Sequence, residues 1–238
     1  MNKKNYLPNH IAIIPDGNRR WAKEKRQQAF EGHRYAAQTT LPNLVDEFIR
    51  LGIKYFSFWA LSTENLTTRS KIELNNLFSL MRYFLKSKYK EFKEKKIRIK
   101  VIGDLNKLPE DLQREIPKIS KESLDNEKLT IILGLNYGGR DEIIRAIKKI
   151  PSFAEASAGK QNSKITKESF SEYLDTSGIP DPDLIIRTGG EKRLSGFMLW
   201  QSEYSELYFS NLYFPDFTAE ELKKAVKNYG ERQRRFGK

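Results

Sequence analysis

The residues of this chain best suited to chemistry are arginines, glycines and one isolated carboxylate, and they come in short clusters. The first is Pro15-Asp16-Gly17-Asn18-Arg19-Arg20-Trp21, and the second is Leu61-Ser62-Thr63-Glu64-Asn65. Asn136-Tyr137-Gly138-Gly139-Arg140 follows, then Arg187-Thr188-Gly189-Gly190-Glu191 with Arg193 and Ser195 close behind. Arg19, Arg20, Arg187 and Arg193 offer fixed cationic forks that suit phosphate oxygens. Gly17, Gly189 and Gly190 let backbone N–H groups come close to an anion. Asp16 stands alone among these cations. A carboxylate in a diphosphate site serves to hold Mg²⁺, which takes one or two carboxylates together with substrate phosphate oxygens. Singly, each cluster has a plainer reading: Asp-Gly-Asn is a common turn, and Arg-Thr-Gly-Gly is the approach to a helix. Together they form a magnesium–diphosphate site only if the fold brings them to one place.

The elements between the clusters predict that it does. Short apolar runs read as strands at His10–Ile14, Tyr55–Ala60, Ile97–Ile102, Leu129–Leu133, Asp183–Arg187 and Glu206–Phe209. Helical patterns occupy 34–51, 71–95, 109–125, 140–150, 167–175 and 218–234. The second of these repeats Leu74, Leu77, Phe78, Met81, Phe84, Leu85 and Phe92 at helical spacing. Such alternation predicts βαβ units: one α/β domain over residues 1–238, with a central, mainly parallel six-stranded sheet flanked by helices. In such a sheet, ligands bind beyond the carboxyl ends of the strands, which is where the four clusters fall. The small, polar, aperiodic stretch Ala154–Ser163, within about 152–164, is expected to be an exposed, mobile loop.

Composition narrows the chemistry further. No cysteine is present, which excludes disulfides, thiolate nucleophiles and Cys-ligated metals, and only His10 and His33 remain as imidazoles. The N-terminal MNKKNYLPNH has no apolar core of a signal peptide, and no run approaches a membrane span, so the cytoplasm is the expected setting. The net charge of +12 favours anionic partners: nucleic acid, lipid headgroups or phosphorylated substrates. A nucleic-acid-binding protein is one alternative, but no basic module interleaved with aromatics is found. A peripheral contact with anionic lipid is compatible with the basic stretches Lys86–Lys100 and Lys223–Lys238. Neither a P-loop, a G-x-G-x-x-G after a strand, nor an aspartate-rich DDxxD element occurs.

The segments His10–Ala22, Gly32-His33, Ser62–Asn65, Asn136–Arg140, Asp183–Glu191, Arg193–Gln201, Glu206–Phe209 and Arg234–Gly237 together resemble the cis-prenyltransferases, in collinear order from residue 10 to 237. The resemblance implies a homodimeric α/β fold with a hydrophobic tunnel. It implies head-to-tail condensation of isopentenyl diphosphate onto an allylic diphosphate, typically farnesyl diphosphate, with Z double bonds formed. The expected product is undecaprenyl diphosphate, a lipid carrier precursor for cell-wall glycan. By the same resemblance, Asp16 is the Mg²⁺-binding aspartate and Gly17, Asn18, Arg19 and Arg20 cradle the allylic diphosphate, with Trp21 beside them. His33 matches a further diphosphate contact, and Asn65 matches the residue that assists proton removal. Ser62, Thr63, Glu64, Leu66 and Arg69 join the substrate-binding set around Asn65. Arg187, Arg193, Leu194 and Ser195 match the isopentenyl diphosphate clamp, and Glu206 matches a second metal-associated carboxylate. Arg235 and Gly237 match a C-terminal Arg-x-Gly that reaches the partner subunit.

Three positions depart from the family pattern. Ala29 replaces an arginine, with Arg26 nearby as the cation that could compensate. Either Thr68 or Arg69 fills the arginine position of the loop after Asn65, and Gly196 replaces an asparagine. No insertion separates Glu73 from Asp104, which predicts a medium-chain product. Retention of Asp16, Arg193 and Ser195 argues against the remaining alternative, a non-catalytic partner subunit.

Overall fold

Parallel strands need cover on both faces, and the two faces of this sheet are covered unequally. The computed structural model describes residues 7–150 and 165–232. Its strands are β1 (His10–Ile14), β2 (Tyr55–Ser62), β3 (Ile97–Ile102), β4 (Leu129–Tyr137), β5 (Leu184–Arg187) and β6 (Glu206–Phe209). They form one sheet in the order β3-β4-β2-β1-β5-β6, with every pair parallel. Each expected strand is present. β2 and β4 run further than their apolar runs suggested, and β4 is buried along its whole length.

The helices are α1 (Asn18–Glu24), α2 (Ala29–Tyr35), α3 (Leu41–Leu51), α4 (Thr63–Thr68), α5 (Lys71–Tyr83), α6 (Tyr89–Glu94), α7 (Glu110–Glu122), α8 (Gly139–Lys149), α9 (Lys167–Ser171) and α10 (Ala219–Glu231). One sheet face, carrying Ile11, Ile13, Phe56, Ile99, Ile131 and Ile186, packs under α3, α5, α7 and α10 in the main core. The opposite face, with Ala12, Ile14, Ile132 and Ile185, packs on Phe197, Met198 and Tyr137 in a smaller cluster. Alternate residues of one strand thus enter different cores, as the two-residue period of a strand requires.

The two long helices expected over 34–51 and 71–95 are each interrupted. A π-helical turn, Ala36–Thr40, joins α2 to α3, and a second, Phe84–Lys88, joins α5 to α6. Such turns are rare and concentrate at functional sites. α1 and α4 occupy segments expected to be loops. In the first, Gly17 completes the turn within one residue (φ 97°), which frees Asn18 to begin a helix. In the second, Ser62 Oγ accepts the Asn65 N–H at 3.0 Å and caps α4. β2 carries a bulge: Trp59 pairs with Gly134 and Leu61 with Leu135, which leaves Ala60 over. The loop expected over Ala154–Ser163 lies outside the described residues, as do Arg235 and Gly237.

Candidate active site

β1 and β5 are neighbours in register, Ile14 beside Arg187, so the residues that follow them meet at the carboxyl edge of the sheet. Asp16 and Thr188 are tied together there: the Asp16 N–H donates to Thr188 Oγ1 at 2.9 Å, and that hydroxyl lies 2.8 Å from the Asp16 carbonyl. The Asp16 carboxylate collects donors. Arg187 Nη2 donates to Oδ2 at 2.9 Å, while Gly17 N–H and Arg20 Nη2 donate to Oδ1 at 2.6 and 3.1 Å. Burial would raise its pKa, but the Arg187 bond and charge, the Gly17 N–H and Arg20 outweigh it and hold the carboxyl below its usual range. Asp16 is therefore ionised at neutral pH.

Arg187 is the most enclosed cation of the site, 7% exposed along its side chain. Its Nη1 donates to the Arg193 carbonyl at 2.6 Å and to Ser195 Oγ at 2.7 Å. Its Nε is buried without a partner, and so is Oδ1 of Asn18, whose Nδ2 donates to the Pro15 carbonyl at 3.1 Å. A buried donor and a buried acceptor are thus left at one sheet edge for water or a polar ligand to satisfy.

The backbone must come close for this arrangement to form. A Cβ on Gly17 would lie 2.4 Å from the Tyr213 ring, and one on Gly32 would lie 1.9 Å from the Asn18 carbonyl oxygen. Glycine at these two positions lets α1 lie against α2 and the 213–216 segment. Tyr213 also receives Arg20 over its ring at 5.3 Å, and Asp216 accepts the Trp21 indole N–H at 2.8 Å. Sequence reasoning missed both supports. Tyr213-Phe-Pro-Asp216 carries a turn signal but nothing that ties it to residues 20 and 21.

Beside this polar recess opens an apolar cavity of about 170 Å³. Phe58 and Ala60 of β2, Met81 of α5, Phe84 and Leu85 of the second π turn, Ile116 of α7 and Leu133 of β4 line its depth. Ala36 and Ala37, in the first π turn, line it as well, so both helix irregularities border this space. Pro15, Asn18, His33 and Arg69 line both the cavity and the Asp16 recess, and Asn65 stands on the cavity wall. Burial, and after it the nearby Arg69 charge, lowers the His33 pKa to about 4 against the bond to the Ala29 carbonyl. His33 is neutral, and its Nε2 accepts from Arg69 Nη1 at 3.4 Å. Thr68 turns its hydroxyl to the Glu64 carbonyl at 2.7 Å. Of the two open candidates for the loop arginine position, Arg69 is therefore the one that faces the site.

The remaining expected site residues are engaged with other groups, Arg19 while it lines the Asp16 recess. Arg193 sends its guanidinium to Glu191 at 2.5 Å and contributes only its carbonyl to Arg187. Arg19 lies 3.5 Å from Glu73 at the rim. Thr63 lies close to Gly138, Glu64 offers its carbonyl to the hydroxyls of Thr67 and Thr68, Leu66 packs on the main core and Leu194 on the smaller one. Glu206 begins β6 opposite Leu184, three register steps (~10 Å) toward the amino edge from Arg187, and accepts Arg232 Nη1 at 2.5 Å. Within one chain, Glu206 is not among the groups gathered around Asp16, because parallel pairing sets it at the other end of the strands.

Among the described residues no three His, Cys, Asp or Glu side chains converge on a point. Asp16 is a lone, ionised carboxylate that remains 29% exposed. That donor set fits a Mg²⁺ ion that takes its other ligands from substrate phosphates and water, and does not fit an all-protein cage.

The family model of undecaprenyl diphosphate synthase matches residues 14–237. An isoprenyl transferase of Chlamydia trachomatis is 45% identical over 238 residues, 98% of this chain and 93% of the relative. Another, from Clostridium perfringens, is 44% identical over 232 residues, 97% and 90% of the two chains. The crystal structure of lavandulyl diphosphate synthase from Lavandula x intermedia, in complex with dimethylallyl diphosphate, superposes with a TM-score of 0.90. It is 38% identical and covers 98% of this chain and 99% of its own.

Proposed function

The chain belongs to the undecaprenyl diphosphate synthase family and is a cis-prenyltransferase, and we propose that it condenses isopentenyl diphosphate head-to-tail onto farnesyl diphosphate to make undecaprenyl diphosphate. One observation carries this reading: a cationic recess built for phosphate and an apolar cavity share the walls Pro15, Asn18, His33 and Arg69. An amphiphile with a diphosphate head and a hydrocarbon tail matches both halves. The lavender enzyme's complex with dimethylallyl diphosphate supports an allylic diphosphate as one substrate.

Bond formation joins the terminal alkene carbon of isopentenyl diphosphate to the allylic carbon, which releases diphosphate and a proton. Negative charge grows on the leaving diphosphate, and Arg20, which lines the Asp16 recess and gives only one of its guanidinium N–H groups to Asp16, would meet it with the others. Magnesium held by Asp16 and phosphate oxygens would supply further charge neutralisation. Arg187, fixed by Ser195 and the Arg193 carbonyl, would orient the isopentenyl diphosphate. Asn65 on the cavity wall would assist proton removal, and neutral His33 would accept rather than repel a neighbouring donor. The apolar walls keep water from the developing allylic cation and take up the growing chain.

Action as a homodimer in the cytoplasm, with product release at a membrane surface, belongs to the same reading. No helix among the described residues is long and apolar enough to cross a membrane. The test is direct: incubate the protein with farnesyl diphosphate, labelled isopentenyl diphosphate and Mg²⁺, and size the dephosphorylated product. A long Z-polyprenol that EDTA abolishes is expected. No labelled polyprenol from any allylic diphosphate would refute the reading.

A further inference from the structure

Anion sites need uncommitted positive charge, and around Asp16 most of the cations are already engaged. Arg187 and Arg20 bind Asp16, and Arg19 is paired with Glu73. Immediately outside, α1 and the start of α2 border a second recess of about 620 Å³, lined by Arg19, Arg20, Lys23, Arg26, Gln27 and Ala29. Four of these six walls are cationic and none is acidic. Arg19 and Arg20 line the Asp16 recess too, so the two spaces share these walls. Neither Lys23 nor Arg26 takes part in any ion pair among the described residues. Ala29, the shortest wall, leaves the space open.

The backbone at Arg26 points the same way. It sits just past the end of α1 with φ 55°, its N–H bonded to the Lys23 carbonyl at 3.0 Å and the Gln27 N–H to the Ala22 carbonyl at 2.8 Å. Helix ends of this geometry favour glycine, which has no Cβ to strain. An arginine here gains nothing for the backbone, so its contribution lies in the side chain.

Resting on the substrate reading above, we infer that Lys23 and Arg26 form an outer phosphate subsite. The allylic diphosphate straddles Arg20, with its inner phosphate at the Asp16 recess and its outer phosphate between Lys23 and Arg26. Free diphosphate, the leaving group, would occupy the same two positions.

The test is Arg26→Gly in the full chain, because glycine suits the backbone while removing the cation. The expected result is about a three- to fivefold rise in KM for farnesyl diphosphate, the upper end of the scale for one exposed charge-assisted contact. KM for isopentenyl diphosphate should stay within twofold, and the melting temperature should hold or rise. Calorimetry with inorganic diphosphate should show a matching loss of affinity. Arg26→Gly combined with Ala29→Arg, which returns a guanidinium to the same recess, should recover the affinity. Lys25→Ala, a neighbouring cation that lies over the Trp21 ring at 6.0 Å and outside the recess, should change neither KM. An unchanged farnesyl diphosphate KM, an equal rise for both substrates, or a KM rise accompanied by a lower melting temperature would overturn the subsite alone. Absence of turnover in the unaltered protein would overturn the substrate reading with it.

Discussion

Asp16→Asn should separate the fold from the chemistry, because the surroundings of Asp16 allow both consequences to be sized. The change removes a charged acceptor 2.9 Å from Arg187 Nη2, while Arg187 keeps its bonds to the Arg193 carbonyl and Ser195. A hydrogen bond to a charged group contributes about 1.5–3 kcal/mol, and partial exposure of Asp16 argues for roughly 2 kcal/mol. A domain stable by about 5–15 kcal/mol stays folded after that loss, and its melting temperature should fall by roughly 4–8 °C. Turnover should fall about 10²- to 10³-fold, the scale of removing one preorganised electrostatic group. Binding moves the other way. With one negative charge gone beside Arg187 and Arg20, metal-free inorganic diphosphate should bind more tightly, by about 1–2 kcal/mol or roughly 5- to 30-fold. Thermal melts by circular dichroism, product formation with labelled isopentenyl diphosphate, and calorimetry in EDTA read the three quantities. Turnover above a tenth of normal, or weaker metal-free diphosphate binding, would refute the reasoning.

Other outcomes follow from burial and packing. His10 is fully buried, with Nδ1 on the Pro180 carbonyl and Nε2 on Ser57, and burial lowers its pKa to about 4. The unfolded chain therefore binds a proton below about 6.5 that the fold refuses. Stability should drop as pH falls from 6.5 toward 4, by about 2 kcal/mol at pH 5 from His10. Urea unfolding at pH 7 and pH 5 measures the difference, and a flat profile would contradict it. Gly32→Ala would drive a methyl into the Asn18 carbonyl and should cost about 2–3 kcal/mol with loss of turnover. Gly52→Ala meets nothing within 4 Å and carries only the strain of φ 77°, about 1 kcal/mol, with turnover intact. Comparing the melts and rates of the two variants checks this. Met81→Trp should fill the apolar cavity and shorten the product, as read by chromatography of the dephosphorylated polyprenols; an unchanged length would remove Met81 from the chain's path.

Much of the architecture was legible because strands are written as short apolar, β-branched or aromatic runs: β1 is buried throughout, the edge strands β3 and β6 carry Arg98, Lys100 and Glu206 among their apolar residues, and all three fall where those runs do. The interruptions were not. An apolar helical period passes through Ala36–Thr40 and Phe84–Lys88 unchanged, since a π turn shifts hydrogen bonds without needing a different residue type. α1 and α4 were hidden behind Asp-Gly-Asn and Ser-Thr-Glu-Asn, which read as loop chemistry and in fact start helices. Arg69 and Thr68 could not be told apart in sequence, because only the direction of each side chain separates the residue facing His33 from the one facing Glu64.

By itself the sequence determined which groups were available: one carboxylate among arginines, glycines where the backbone must turn tightly, and apolar periods long enough to build walls. Tertiary structure alone decided which of them meet. Asp16 and Arg187 are 171 residues apart and touch because β1 and β5 pair in a single register. The same rule of parallel pairing sends Glu206 to the far end of its strand. Local composition specifies what a side chain can bind, whereas the crossovers and registers of the whole sheet specify what it stands next to.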